Sequence, residues 1–211
     1  MPDKPVTATA YPAPEPWAIP IRIPVGSEEP GDASASPDRR AHEDIFTLVK
    51  ATLSDLSTIE RMFKRCSVRS LHYRFFRPLP SAPHGYLEEV LADGVNHHAF
   101  VVRRNGNTIG LAELHLEGPW SGALALIIED PYQRRGIGTE ALRLLVRRAH
   151  ELGLRMLTAD VLFENAAVLH ALRRIGPTTI SRADDIFHVE LDLESAELTE
   201  DWRVVGQLRA G

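Results

Sequence analysis

Asp130-Pro131-Tyr132-Gln133-Arg134-Arg135-Gly136-Ile137-Gly138-Thr139 is the stretch on which the fold turns. Behind it, Ala123 to Glu129 is a short apolar run of strand length. Ahead of it, Gly136 to Leu152 carries Ile137, Ala141, Leu144, Leu145, Ala149 and Leu152 at helical spacing, and Gly153 stands where such a helix ends. A strand therefore feeds a helix through a glycine turn. Glycine lets a ligand approach the backbone, and the unbonded N–H groups and dipole of a helix's first turn attract an anion. The turn predicts a phosphate site. Gly136-Ile137-Gly138-Thr139-Glu140-Ala141 also fits the dinucleotide fingerprint G-x-G-x-x-G/A, with Asp160 placed for a ribose. That fingerprint follows its strand almost directly, whereas six mostly polar residues including Pro131 intervene here, and about 50 residues after Asp160 are too few for a doubly wound sheet. No G-x-x-x-x-G-K motif followed by Ser or Thr is present, which argues against a nucleotide triphosphatase.

Outward from the turn the elements follow from period and punctuation. Ala99 to Arg103 and Thr108 to Leu116 read as strands joined at Asn105-Gly106, the strongest short hairpin signal, and Gly118-Pro119 turns the chain into the strand at Ala123. A turn centred on Pro119 pairs His115 with Ala123 and Glu113 with Ala125, which puts Glu113 and His115 on one face. Further back, Ile45 to Val49 reads as a strand, and Ser54 or Asp55 caps a helix carrying Leu56, Ile59, Met62 and Phe63. A loop rich in aromatics and prolines then leads to a short helix, Tyr86 to Leu91. On the other side come a strand at Met156 to Leu162, a helix at Asn165 to Ile175, and strands at Thr178 to Ser181 and Ile186 to Leu193. The order is β α α β β β α β α β β. It predicts an α+β, mixed α/β domain with a mostly antiparallel sheet flanked by helices.

The 211 residues allow one full-sized domain, placed here at residues 44–193. Residues 1–40 are a Pro-rich N-terminal arm and 194–211 a C-terminal tail. Trp17, Ile19, Ile21 and Ile23 are too apolar for a free linker, so the arm is expected to lie extended on the domain or on a partner subunit. Twenty-four basic against 29 acidic residues give a net charge of −5, so no basic field invites nucleic acid. One cysteine, Cys66, excludes an internal disulfide and a multi-cysteine zinc site, and no run approaches the roughly 20 apolar residues of a membrane span. The first residues lack the basic and apolar regions of a secretory signal, so a cytoplasmic location is expected. His97 and His98 precede a strand and cannot both face one metal from adjacent positions, so no metal is expected.

Gln133-Arg134-Arg135-Gly136-Ile137-Gly138, placed after a meander strand and opening a helix, resembles the Q/R-x-x-G-x-G/A acyl-coenzyme A motif of the GCN5-related N-acetyltransferase (GNAT) superfamily. The resemblance covers residues 44–193 in element order. It implies acetyl-CoA as cosubstrate, with the pyrophosphate held by the amides of Arg135, Gly136, Ile137, Gly138 and Thr139 beside Gln133 and Arg134. It also implies that the backbone of Ala125, Leu126, Ile127 and Ile128 pairs with the pantetheine arm, and that Asn165 matches the family's Asn after the next strand. Ser67-Val68-Arg69-Ser70-Leu71-His72-Tyr73-Arg74-Phe75-Phe76 is similar to the S-x-x-S-x-Y-x-R-F-F stretch of bacterial protein lysine acetyltransferases, with the Tyr one position along. That similarity implies a protein lysine as the first acceptor. A small-molecule amine and a catalytically silent acyl-CoA-binding module stay open beside it, as does a homodimer.

Acetyl transfer needs a neutral amine, so a base near the acceptor is required. The glutamate that the family's lysine acetyltransferases often carry early in this strand is Ala123 here, and the Tyr that many relatives use to protonate the leaving thiolate is Leu172. Glu113 and His115 share the face of Ala123 and are the candidate replacements, with Asp160 on the next strand as the third. Phe75 and Phe76 read equally well as core aromatics beside the first helix.

Overall fold

The computed structural model describes residues 19–22, 45–92 and 94–195. Its central strand, β4 (Asn107–Leu116), is buried without interruption from Thr108 to Leu114, because helices cover both faces of the sheet and leave no polar side to alternate with. β3 (His97–Arg104) meets it through Asn105 and Gly106, both at positive φ (48° and 79°), the conformation that a two-residue hairpin turn needs. β5 (Ser121–Ile128) pairs on its other side, with Glu113 opposite Ala125 and His115 opposite Ala123, the register that the Pro119 turn predicts.

Among the described residues eight strands form one sheet in the order β1-β2-β3-β4-β5-β6-β8-β7. The remaining strands are β1 (Ile19–Arg22), β2 (Ile45–Lys50), β6 (Met156–Leu162), β7 (Thr178–Ala183) and β8 (Ile186–Asp192), and every pairing is antiparallel except β5 with β6. On one face lie α1 (Leu56–Arg65), α2 (Val68–Phe75) and α3 (Tyr86–Ala92), whose Ile59, Met62, Phe63, Leu71 and Leu87 pack on Val101, Leu111 and Ile127. On the other, α4 (Ile137–Glu151) and α5 (Ala166–Arg173) bring Leu145, Ala149 and Leu172 onto Leu48, Leu114, Leu157 and Val189. No helix among the described residues is long and apolar enough to cross a membrane.

The mixed fold and the order of its predicted elements stand, with two additions. Residues 68–75, expected as loop, form α2, because the Ser67 hydroxyl caps the helix by accepting from the Ser70 amide at 3.2 Å. The chain stops being helical at Phe76, which sits at φ 58° and is partly exposed, so only Phe75 of that pair joins the core. The second addition is β1, through which the arm adds an antiparallel edge to β2, Ile19 opposite Leu48. Trp17, Ile23 and residues 196–211 lie outside the described residues. The start of the first helix also differs. Thr52 leads into a 3-10 turn at Leu53–Asp55, and the Asp55 carboxylate accepts from the Thr52 amide at 3.0 Å instead of capping α1.

Candidate active site

β5 and β6 run parallel only through Ser121 opposite Met156, Gly122 opposite Leu157, and Ala123 opposite Thr158. Beyond that point β5 stays with β4 as far as Ile128, and β6 stays with β8 as far as Leu162, so the two strands part and the sheet opens into a wedge. The closed end is tight. A Cβ at Gly122 would lie 2.9 Å from Leu114 and 3.0 Å from the His115 carbonyl, so glycine is what lets β5 lie this close to β4 there. The open stretch of β5 leaves backbone N–H and C=O groups facing the wedge without a strand partner.

The glycine turn follows at once. Pro131 sits in a 3-10 turn, Asp130–Tyr132, and the backbone then passes through positive φ at Arg134 (60°) and Gly136 (82°) before α4 begins. Gly136 caps α4 without any side chain bonding to its first-turn amides, which leaves that end open to an anion. At Gly138 an added Cβ would come within 3.3 Å of a Leu126 methyl, at the wall of a cleft of about 320 Å³.

Most of the predicted coenzyme residues line this cleft: Leu126, Ile127 and Ile128 from β5; Gln133, Arg134, Gly136, Gly138 and Thr139 from the turn; and Asn165 at the start of α5. Three do not. The Ile137 side chain is buried in the core, so only its amide is on offer. Ala125 faces Glu113 on the side of α1 to α3, and the Arg135 guanidinium lies over the Tyr132 ring at 5.8 Å. The opposite wall was not foreseen: α2 contributes Arg69, Ser70, Tyr73 and Arg74. The Ser-x-x-Ser spacing that caps α2 is the signal that could have placed them.

A hydrogen-bonded junction ties that wall to the turn. Asp130 accepts from the Ser67 amide (2.8 Å), the Ser67 hydroxyl (2.6 Å) and the Ser70 hydroxyl (2.9 Å). The Gln133 side-chain amide donates to Ser70 Oγ at 2.9 Å and to the Ile128 carbonyl at 2.8 Å. Burial works to raise the Asp130 carboxyl, but the bonds from Ser67 and Ser70 outweigh it and hold it below the usual carboxylate range. Beside the junction, burial pushes the Cys66 thiol up to about 12, with Glu129 and Asp130 adding to the rise, so the thiol is inert as a nucleophile.

The three catalytic candidates fall in different surroundings. Glu113 is buried, its Oε1 accepting from Arg74 at 2.8 Å and from the Tyr86 hydroxyl at 2.5 Å, with Oε2 2.6 Å from the same hydroxyl. Desolvation disfavours the Arg74 cation, yet the Glu113 carboxylate more than restores it. His115 is exposed, its ring stacked on that of His97 at 4.2 Å. Asp160 is exposed on β6, with Oδ1 2.8 Å from His188 Nδ1 on β8. Leu172, at the position of the relatives' Tyr, is buried in the core.

A parted parallel strand pair, a glycine turn and an open helix start together make a site for a long ligand with one anionic end. Residues 46–178 match the acetyltransferase (GNAT) domain family, and the chain belongs to it. It is an acyl-CoA-dependent N-acetyltransferase. In fold it is similar to the GNAT domain of S. lividans PAT, at 22% identity over 71% of this chain and 92% of that one, TM-score 0.66. It is also similar to Salmonella typhimurium yncA with its cofactor acetyl-CoA, at 19% identity over 73% and 98%, TM-score 0.58. A third likeness is to Vibrio cholerae spermidine N-acetyltransferase in complex with CoA and spermine, at 19% identity over 71% and 96%, TM-score 0.57.

Proposed function

We propose that the protein moves the acetyl group of acetyl-CoA to a primary amine, with the side-chain amine of a protein lysine as the first acceptor class. The parting of β5 and β6 just before the glycine turn carries this reading. An extended pantetheine arm can add to the free edge of β5 at residues 125–128 as a further strand would. The pyrophosphate fits the amides of Arg135 to Thr139, where the α4 dipole and the exposed Arg134 favour negative charge. Gln133 serves this site by holding the turn to α2, and Asn165 lines the wall opposite. Bound there, acetyl-CoA supplies a thioester carbonyl open to an amine. Glu113, joined to Arg74 and Tyr86, fixes the α2 wall. The protein acceptor is favoured by the Ser67-to-Phe76 stretch and by the likeness to the S. lividans PAT domain.

Gly138→Asp tests the coenzyme assignment. It places a carboxylate at the start of α4 while its Cβ meets only a flexible leucine end, so the variant should fold. Calorimetric titration should show acetyl-CoA binding weakened by about 2 kcal/mol, roughly 30-fold. Parental affinity in the folded variant, or preferential binding of a nicotinamide dinucleotide by the parent, would sink the phosphate assignment. Turnover with lysine peptides and with small amines then decides the acceptor, and transfer to small amines alone would remove the protein lysine.

A further inference from the structure

Two side chains outside the coenzyme cleft stand on the lip of the wedge. β6 leaves β5 after Thr158, and Asp160 is the next β6 residue on the face that carries Ala123, His115 and Glu113. Opposite Asp160 on β8 is His188. Asp160 Oδ1 lies 2.8 Å from His188 Nδ1, and a carboxylate there holds the proton on Nδ1 and leaves Nε2 as an acceptor. The two side chains are 53% and 43% exposed, so a protein-borne amine can reach them, whereas Glu113 lies beneath α2 and α3. Ala123 offers no polar group at the same place, and His115 stacks on His97, on the strand farther from the wedge.

We propose that Asp160 and His188 are the proton-accepting pair of the transfer. His188 is the base, acting on the amine directly or through one water, and Asp160 is its positioning residue. As the amine lone pair closes on the thioester carbonyl carbon, a C–N bond forms and the C–S bond breaks with its electrons passing to sulfur. The surplus proton on nitrogen goes to Nε2 and from there to solvent. The thiolate takes a proton from solvent, so an amide and a thiol result. The charged groups facing His188 are Asp160 on β6 and Glu190 on its own strand, whose Oε1 is 3.8 Å from Nε2. Thr158 and Ser181 are the neighbouring uncharged side chains on β6 and β7.

The inference rests on acetyl transfer to an amine, and one experiment separates the two. Steady-state turnover of acetyl-CoA with the best amine is measured from pH 6 to 10 for the parent, His188→Gln and Asp160→Asn, with acetyl-CoA affinity measured alongside. His188→Gln should lower kcat about 10²-fold near neutral pH, and the loss should shrink toward the alkaline end of the range, where the amine is freed without help. Asp160→Asn should lose about tenfold in kcat, and both variants should bind acetyl-CoA as the parent does. Parental turnover in His188→Gln, a loss equal at every pH, or the same pH-dependent loss in His115→Gln instead would overturn the pair. A parent that binds acetyl-CoA and acetylates no amine would overturn the transfer reading and the pair together.

Discussion

Glu113 is a carboxylate at 3% exposure whose partners come from two helices that the sequence does not place near it. Its face was legible, because the turn at Pro119 sets the register and side chains alternate along a strand. Its burial was not, since that depends on how α2 and α3 lie across the sheet. Tyr86 keeps its proton well past the value at which an ordinary tyrosine ionises, chiefly through burial and then through the neighbouring Glu113 charge, so it stays a donor. Tyr86→Phe should leave Glu113 with Arg74 alone and cost about 2 kcal/mol in a denaturant titration. A variant as stable as the parent would show that the hydroxyl bond adds nothing.

At the scale of elements, α2 is the informative case. Eight residues give too few turns for a clear apolar stripe, and the prolines that follow at 78, 80 and 83 made the stretch look like a loop. What makes it a helix is local at Ser67 and distant at Asp130, 63 residues along the chain. By contrast the Asn105-Gly106 hairpin and α4 with its glycine start carry their own signals, and both stand where those signals put them. The parting of β5 from β6 has no local signal at all, because each strand keeps a different antiparallel neighbour. Since the folded-state pKa of Asp130 lies below 3.8, its contribution to stability is present above that value and is lost as pH falls through the lower one. Asp130→Asn should therefore be less stable than the parent at neutral pH, with the gap narrowing toward pH 2 in thermal melts. A gap that is constant or widens in acid would mean that the carboxylate bonds to Ser67 and Ser70 are not its source.

Across the whole molecule, the order of strands and long helices follows from period and turn chemistry, and the site's coenzyme side follows from one motif. The opposite wall of the cleft and the proposed proton-accepting pair come from α2, β6 and β8, whose polar residues are scattered between Arg69 and Glu190 with no common spacing. The edge supplied by β1 is likewise a matter of long-range pairing, across a connection of 22 residues at 23–44.

The double attachment of α2 has a consequence for how the domain breathes. Its first turn is tied through Asp130 and Gln133 to the turn before α4, and its last turn is tied through Arg74 to Glu113 in the central strand and to Tyr86 of α3. A helix of this length on one tether would open alone as a flap. On two, it opens only when both junctions break, so the glycine turn and α2 should exchange their amide hydrogens with deuterium as a single cooperative unit. Exchange rates in α2 and in residues 133–139 should rise together in Asp130→Asn. Fast exchange confined to α2 would reveal a wall that moves independently of the turn.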